Sequence, residues 1–256
     1  MDVSKPDRGG LSAVITVIVP VYNEEENLPS LLMEIAQASR DLPISEIICV
    51  DDNSTDRSVP LLKELRSEYP ALRILKHNKQ AGQSAALWTG IKAAGNDIVV
   101  TMDGDGQNDP ADIQQLYAVY ESETKRSPRV MVLGERAKRH DNWVRRLSSR
   151  IANGIRGALL NDQTKDTGCS LKMFARKDYL ALPYFDHMHR FLPALMLREG
   201  VPLVHVPVSH RPRLHGQSKY GTLDRALVGI SDIRGVLWLQ KRARRINSDD
   251  IYEELG

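Results

Sequence analysis

Residues 99–110 read VVTMDGDGQNDP, an apolar run that stops abruptly at carboxylates. Asp103, Asp105 and Gln107 carry side-chain oxygens at alternate positions, separated by glycines that let the backbone bend. Such side chains can turn toward one point and hold a hard divalent cation, which prefers oxygen ligands. The alternative is an Asp/Gly-rich surface turn. A position directly after a buried strand favours a site, since open α/β sheets bind ligands at the carboxyl ends of their strands.

The rest of the N-terminal half alternates between strand and helix patterns. Four apolar runs predict buried strands over residues 13–20, 46–50, 72–77 and 97–102. Helical patterns between them predict helices after residue 21, over 58–69 and over 83–94. In the first helix we expect Asn23 as the cap, glutamates in the first turn, and an apolar face of Leu28, Leu31, Leu32 and Ile35. Strict alternation predicts an α/β fold with a mostly parallel sheet covered on both faces.

The composition bounds the class of protein. A chain of 256 residues with 41% hydrophobic and 27% charged residues is typical of a globular protein with a substantial core. Its two cysteines, Cys49 and Cys169, exclude a disulfide framework and fit a reducing compartment. No apolar stretch approaches the roughly 20 residues needed to span a bilayer. Residues 1–12 are polar, so we expect a disordered lead and not a signal peptide.

The turns after the predicted strands carry acids in place of phosphate-binding glycines. The turn after the first strand contains neither a GxGxxG motif nor a Walker glycine-lysine pair. Glu24 follows the first strand, Asp51 and Asp52 the second, and Asp103 and Asp105 the fourth. Carboxylates at the mouth of a sheet can accept hydrogen bonds from a base and a ribose, while a metal offsets the diphosphate charge. The sequence therefore predicts a nucleoside-diphosphate pocket without a basic cradle.

Several motifs in order resemble known enzymes. VIVPVYNEEENL, ICVDDNSTD, NKQAGQSAAL and TMDGDGQNDP resemble the N-terminal half of family-2 glycosyltransferases, which have the GT-A fold. GERAKRHDNWVRRLSSRIAN, DTGCSLKMFARK and RPRLHGQSKYG resemble the branch that makes polyprenyl-phosphate sugars. The resemblance covers residues 14–221, so we expect a GT-A domain over 13–221. The QxxRW motif of processive polysaccharide synthases is absent, as are the C-terminal transmembrane helices of many bacterial relatives.

The resemblance implies roles on the side of the nucleotide-sugar donor. Asp52 would lie nearest the base, whereas Asp51 has an alternative role as an inward-turned cap or anchor. Asp103 would lie near the ribose and the donor sugar. The other residues that would frame the nucleotide are Pro20, Tyr22 and Glu24. A uridine donor is expected over a guanosine donor, because the second half resembles bacterial members.

A metal and a mobile loop complete the donor side that the resemblance implies. Asp105 and Gln107 would ligate Mg²⁺ or Mn²⁺, which stabilises the negative charge of the departing nucleoside diphosphate. The segment 211–220 would close over the diphosphate and exclude water. The residues it would bring to the diphosphate oxygens are Arg213, Ser218 and Lys219.

The basic segment 136–156 is the expected acceptor side. By resemblance, Arg136, Arg145 and Ser149 would bind the phosphate of a polyprenyl-phosphate acceptor, which suits guanidinium forks. Alternatives are a solvated basic face or a nucleic-acid surface, although the acidic pocket nearby would repel nucleic acid. Asp166 would orient donor or acceptor, or else form an Asx-turn before the next strand.

A phosphate acceptor simplifies the expected chemistry. Its second pKa lies near 6, so its oxygen is largely ionised at neutral pH and needs little help from a base. We expect in-line attack on the anomeric carbon with inversion. A transferase that acts on a glycan hydroxyl would instead need a carboxylate base, for which Asp166 is the candidate. A non-catalytic adaptor that holds nucleotide sugar or anionic lipid is the third reading.

The C-terminal part predicts attachment to a surface. Apolar residues recur at helical spacing over 222–246, with Trp238 near a basic end at 241–245. Such a helix can lie in an anionic headgroup layer at the cytoplasmic membrane face, or it can dock on the core or on a second subunit of a homo-oligomer. Residues 247–256 form an acidic, loose tail. Arg190 and Phe191 are expected on a helix that packs under the site.

Overall fold

The computed structural model describes residues 14–136, 166–212 and 222–242, together with residues 157, 160, 162 and 164. For residues 222–230 it describes the backbone alone. The predictions for residues 1–12 and 247–256, and for most of the basic segment, lie outside this part of the chain.

A seven-stranded sheet forms the centre of the described fold. Its strands in chain order are β1 Ile15–Val21, β2 Ile44–Asp51, β3 Leu72–Lys76, β4 Ile98–Thr101, β5 Met131–Arg136, β6 Lys172–Ala175 and β7 Leu203–Val208. Their spatial order is β3-β2-β1-β4-β6-β5-β7. All neighbouring pairs are parallel except that β6 runs antiparallel to both β4 and β5. The predicted mostly parallel sheet is confirmed.

Helices cover both faces of the sheet, as the alternating pattern predicted. They are α1 Leu28–Ala38, α2 Ser58–Leu65, α3 Gln83–Ala93, α4 Ile113–Thr124, α5 Arg176–Leu180, α6 Leu192–Arg198 and α7 Thr222–Lys241. Alternate residues of β1 point to opposite faces, so Val17 and Val19 join the core under α1, α2 and α4, whereas Ile18 joins the core under α3 and α6. The predicted apolar face of α1 is confirmed, since Leu28, Leu31, Leu32 and Ile35 are buried.

The predicted start of the first helix is wrong. The helix begins at Leu28 after Asn27, and no acidic residue lies in its first turn. Asn23 instead adopts a left-handed conformation with φ 53°. Its side-chain oxygen accepts a hydrogen bond of 2.7 Å from the backbone N–H of Thr55. Asn23 therefore joins the turns after β1 and β2, because a short amide tolerates this backbone and can satisfy the neighbouring turn.

The described end of α7 docks on the core, which was one of the two alternatives for this helix. Val236 is buried, and Ile233, Leu237 and Leu239 pack against the same core as α3 and α6. The exposed side of this helix carries Trp238, which is 58% exposed. No helix within the described residues has the length and apolar character needed to cross a membrane.

We predict that Gly90→Ala destabilises the fold, because α3 crosses the sheet too closely for a side chain at this position. A Cβ at Gly90 would lie 2.7 Å from Cγ2 of Ile18 and 3.0 Å from Cγ2 of Val50. Overpacking of this kind costs about 1 to 3 kcal/mol. Urea denaturation checks the loss.

Gly235→Ala is the matched control, since Gly235 also lies in a helix and a Cβ there meets no atom within 4 Å. Its free energy of unfolding should stay the same or rise by up to about 1 kcal/mol. Equal losses in both variants would show that the close approach of α3 to β1 and β2 is not the cause.

Candidate active site

A cavity of about 440 Å³ lies where β4 ends and β6 begins. Because these strands are antiparallel, Thr101 at the end of β4 pairs with Lys172 at the start of β6. The cavity is therefore lined by side chains from distant parts of the chain: Gln83, Leu87, Thr101, Met102, Asp103, Gln107, Thr167, Gly168, Ser170, Lys172, His189, Arg190 and Leu192.

The acidic motif of Asp103, Asp105 and Gln107 lies at one side of this cavity. Asp103 accepts a hydrogen bond of 2.8 Å from the side-chain amide of Gln83. Burial, together with the negative charge of Asp105, raises the pKa of Asp103 to about 6. Oδ1 of Asp105 accepts a hydrogen bond of 3.2 Å from the backbone N–H of Gln107. The negative charge of Asp105 thus opposes ionisation of the poorly solvated Asp103 carboxylate.

This donor set suits a divalent cation. A cation beside Asp103 and its neighbour Asp105 would stabilise the charged form of the Asp103 carboxylate. Gln107 donates its amide nitrogen to the backbone oxygen of Arg211 at 3.4 Å, which leaves its amide oxygen to act as a ligand. Within the described part of the chain no three His, Cys, Asp or Glu side chains group into a metal site. A cation held by Asp105 and Gln107 would therefore need further ligands, such as water or diphosphate oxygens.

The two aspartates after β2 differ sharply in surroundings. Asp51 is fully buried, and both its oxygens accept the backbone N–H of Ser54, at 3.3 and 3.2 Å. This is the anchoring role that the sequence left open. Asp52 is 4% exposed and accepts hydrogen bonds of 2.8 Å from the backbone N–H groups of Ala81 and Gly82, and its Oδ1 lies 2.8 Å from Nδ1 of His77. Asp52 thus fixes the segment before α3, in addition to any contact with a base.

The start of α3 connects three parts of the site, and sequence reasoning missed its chemistry. Residues 81 and 82 hold Asp52, Gln83 holds Asp103, and the hydroxyl oxygen of Ser84 lies 2.7 Å from Nδ1 of His189. The motif NKQAGQSAAL entered the analysis only through family resemblance. Its spacing gave no chemical signal, since the partners of Ser84 and Gln83 lie 105 and 20 residues away along the chain.

The remaining residues predicted to bind the nucleotide-sugar donor lie around the carboxyl end of β1. The backbone oxygen of Pro20 lies so close to Gly104 that a Cβ there would be 3.0 Å away. Oε2 of Glu24 accepts a hydrogen bond of 2.7 Å from the side chain of Asn27, and Tyr22 is half-buried. β1 and β4 are adjacent, so these residues and the Asp103 motif share one edge of the sheet.

Two residues given separate roles by the sequence bind each other. Arg136 donates to Asp166 through Nε and Nη2, at 2.6 Å each, in a two-point ion pair. The backbone N–H of Arg136 also donates to Asp166 at 3.3 Å. Both side chains are largely buried, at 13% and 7% exposed. The Asp166 carboxylate is therefore occupied by a guanidinium, which opposes the alternative role of a free general base.

Lys172, His189 and Arg190 line the cavity but were not among the predicted site residues. The Lys172 ammonium donates to the backbone oxygen of Cys169, and burial lowers the pKa of Lys172. The expectation for Arg190 and Phe191 is wrong: Arg190 ends a 3-10 turn over Met188–Arg190, and Phe191 precedes α6. The left-handed His187, with φ 63°, starts this turn, and Pro193 in the first turn of α6 keeps the helix from beginning earlier.

The predicted closing loop begins beside the metal motif. The backbone N–H of Arg211 donates to the backbone oxygen of Gln107 at 3.0 Å. The side chain of Arg211 is held by Glu34 at 2.7 Å and by Asp109 at 2.6 Å. The residues assigned to the loop and to the acceptor phosphate lie outside the described part of the chain: Arg145, Ser149, Arg213, Ser218 and Lys219.

Comparison with known sequences agrees with this geometry. Residues 16–181 match the profile of Glycosyl transferase family 2. The chain belongs to this family. Among relatives of this family-2 glycosyltransferase is the dodecaprenyl-phosphate galacturonate synthase of Rhizobium johnstonii, 35% identical over 240 residues that cover 91% of this chain and 69% of that protein. The undecaprenyl-phosphate 4-deoxy-4-formamido-L-arabinose transferase of Edwardsiella ictaluri is 32% identical over 213 residues, which cover 82% of this chain and 63% of that enzyme. The family-2 chain thus spans about two thirds of the length of these relatives.

Solved structures confirm the GT-A fold of this family-2 glycosyltransferase. Glucosyl-3-phosphoglycerate synthase from Mycobacterium tuberculosis, in complex with Mn²⁺, uridine diphosphate and glucosyl-3-phosphoglycerate, superposes with a TM-score of 0.63. The two proteins are 19% identical, and the match covers 93% of this chain and 86% of that one. The predicted fold is confirmed.

We predict that His189 makes the protein sensitive to acid. Burial and the charges of Arg190, Lys172 and His187 lower the pKa of His189 from 6.5 to about 3. Between these values the unfolded chain binds a proton that the folded chain does not, so stability falls as pH falls below 6.5. From pH 6.5 to pH 5, wild type should lose about 1 kcal/mol more than His189→Asn, after allowance for partial exposure. Urea denaturation at both pH values checks this, and equal losses in the two proteins would contradict it.

Proposed function

We propose that this family-2 glycosyltransferase moves a sugar from a nucleotide-sugar donor to the phosphate of a polyprenyl phosphate. The product is a polyprenyl-phosphate monosaccharide and the nucleoside diphosphate leaves. The names of the two relatives support this acceptor, since both are enzymes of polyprenyl-phosphate sugars.

The observation that carries the acceptor assignment is the shortage of free carboxylate in the cavity. Among the described residues that line it, Asp103 is the one carboxylate, and it neighbours Asp105 on the side assigned to donor and metal. Asp166 is bound at two points by Arg136. A sugar hydroxyl needs a base to remove its proton, whereas a phosphate monoester reaches the site already ionised. The cavity therefore suits a phosphate acceptor better than a glycan hydroxyl.

The proposed reaction is a single displacement with inversion. An ionised oxygen of the acceptor phosphate attacks the anomeric carbon, and the bond from that carbon to the donor diphosphate breaks. The leaving diphosphate keeps the electron pair, so no protein group has to give or take a proton in this step. Asp105 and Gln107 would hold the Mg²⁺ or Mn²⁺, which stabilises the charge of the leaving diphosphate when bound.

The donor side of the site supports a nucleotide. Acids at the ends of β1, β2 and β4 lie along one edge of the sheet, where they can accept hydrogen bonds from ribose and base. Arg211 anchors the start of the predicted closing loop beside Gln107. This contact supports the proposal that a loop with Arg213, Ser218 and Lys219 starts next to the diphosphate position.

We also propose that the exposed face of α7 contacts the cytoplasmic membrane surface, where a polyprenyl phosphate resides. Arg234, Trp238, Lys241 and Arg242 are all exposed and share one helical face. The guanidinium of Arg242 lies 5.7 Å from the centre of the Trp238 ring. A tryptophan among cations suits the anionic headgroup layer. The apolar side of this helix is already buried against the core, so the contact is peripheral.

The first prediction tests the reaction by mass spectrometry of lipid. The purified protein, Mg²⁺ or Mn²⁺ and undecaprenyl phosphate are incubated with a panel of UDP- and GDP-sugars. We expect a metal-dependent lipid whose mass equals undecaprenyl phosphate plus one sugar. Asp105→Asn should lower its formation at least about 100-fold while the thermal transition is kept.

Asp97→Asn is the control, since Asp97 is exposed and precedes β4, at the end of that strand opposite the acidic motif. It should form product at the wild-type rate. Absence of any lipid product in the wild-type protein, despite binding of a nucleotide sugar, would refute the polyprenyl-phosphate acceptor.

A second prediction concerns the membrane face. Trp238→Ser should weaken binding to vesicles that contain phosphatidylglycerol about tenfold in a cosedimentation assay, because the indole loses its place in the headgroup layer. A higher salt concentration should also weaken the binding of the wild-type protein to these vesicles. Met33→Ser removes an apolar side chain of α1 that is 46% exposed and serves as the control. Equal binding of both variants would place the membrane contact elsewhere.

A further inference from the structure

The half-buried arginines of the described residues differ in whether their guanidinium groups have a bonded partner. Six arginines of the described residues are half-buried, and five of them are bound to a carboxylate or a backbone oxygen: Arg129, Arg136, Arg176, Arg198 and Arg211. Arg190 is the sixth. Its guanidinium forms no hydrogen bond or ion pair within the described part of the chain, although it lines the cavity. Its guanidinium nitrogens are not buried but face the cavity, where a ligand can supply the partner that the described residues do not.

The neighbours of Arg190 strengthen the positive field at this wall of the cavity. Lys172 also lines the cavity; the residue is 6% exposed, and its ammonium has a backbone oxygen as its bonded partner. The charges of Arg190 and Lys172 both act on His189, and with burial they lower the pKa of that imidazole to about 3. Two cations therefore lie close together around a neutral histidine.

Ser84 fixes the proton of the His189 imidazole on Nε2, which makes that atom a hydrogen-bond donor. The Ser84 hydroxyl oxygen accepts the backbone N–H of His189 at 3.2 Å and lies 2.7 Å from Nδ1 of the same residue. Since the oxygen already accepts one proton from His189, its own proton can go to Nδ1. The neutral imidazole then carries its proton on Nε2. A guanidinium, an ammonium and an N–H donor together form a site for an anion.

We propose that Arg190, with Lys172 and His189, binds an oxyanion of a substrate inside the cavity. Arg190 makes the direct contact, because its fork of N–H groups fits two oxygens of one anion. This inference rests on the proposed function. One candidate oxyanion is the phosphate of the proposed acceptor. The other is a carboxylate on the donor sugar, as in the galacturonate named for the Rhizobium johnstonii relative.

The test measures binding without turnover, by calorimetry on the full chain. The probes are geranyl phosphate, a soluble isoprenoid monophosphate, and the pair UDP-galacturonate and UDP-galactose with Mn²⁺. Arg190→Gln removes the charge, and Arg190→Lys keeps the charge but not the fork. The charge-matched control is Arg126→Gln, because the Arg126 side chain is 76% exposed at the end of α4 and pairs only with Glu123 among the described residues. Circular dichroism and thermal melting confirm that each variant is folded, and Arg190→Lys carries the test if Arg190→Gln fails to fold.

Two results would support the site and separate the sources. A loss of at least about tenfold in affinity for geranyl phosphate, with UDP-galactose unchanged, assigns the oxyanion to the acceptor. A similar loss for UDP-galacturonate, with UDP-galactose unchanged, assigns it to the donor sugar. In either case Arg190→Lys should show a smaller loss, and Arg126→Gln none.

Three results would overturn the site. In the first, the wild-type protein binds no geranyl phosphate and binds UDP-galacturonate no more tightly than UDP-galactose. The Arg190 variants could change no affinity, or they could lower all affinities, that for UDP-galactose included, to the same extent. The lipid assay is independent of these outcomes. If the protein binds geranyl phosphate through Arg190 but forms no lipid product, the inference about Arg190 stands and the proposed function is refuted.

Discussion

Ser170 joins the two halves of the sheet at the point on which the site depends. Its backbone oxygen accepts the Thr101 hydroxyl at 2.7 Å, and its own hydroxyl accepts the backbone N–H of Asp103 at 3.0 Å. The same hydroxyl donates to Asn108 at 2.6 Å. These bonds fix the antiparallel strand β6 beside the end of β4. Without this connection, the acidic motif and the basic side chains after residue 166 would not line one cavity.

The site is divided by charge. Carboxylates come from the ends of the parallel strands, at the edge of the sheet where we propose that the nucleotide and the cation bind. Cations come from Lys172 of β6 and from Arg190 in the turn before α6. α3 connects the two sides, because Gln83 holds Asp103 and Ser84 holds His189. Because these carboxylates and cations lie on different sides of the cavity, a negatively charged donor and a negatively charged acceptor can be held near each other.

The pairing of Arg136 with Asp166 changes the chemical interpretation of both residues. Each had been given an independent role: Arg136 as a ligand of the acceptor phosphate, and Asp166 as a residue that orients donor or acceptor or, for a glycan acceptor, as a base. Their two-point ion pair is largely buried, so the charges of both are already balanced. Among the described residues that line the cavity, Arg190 is the cation whose charged group makes no hydrogen bond or ion pair, and it belongs to a segment for which the sequence suggested packing alone.

The sequence by itself predicted β1 to β4, the helices between them, the C-terminal helix and the acidic edge, since these depend on local periodicity and on where each apolar run ends. It also placed Asp103, Asp105 and Gln107 at a strand end, and the structure agrees. It misjudged Asn23, because a cap and a turn residue have the same local composition. Only the tertiary structure decided which charges are paired and which are available. Ser84 and His189 are 105 residues apart, and Arg136 and Asp166 are 30 apart, so their contacts follow from strand register and helix packing, which no local pattern specifies.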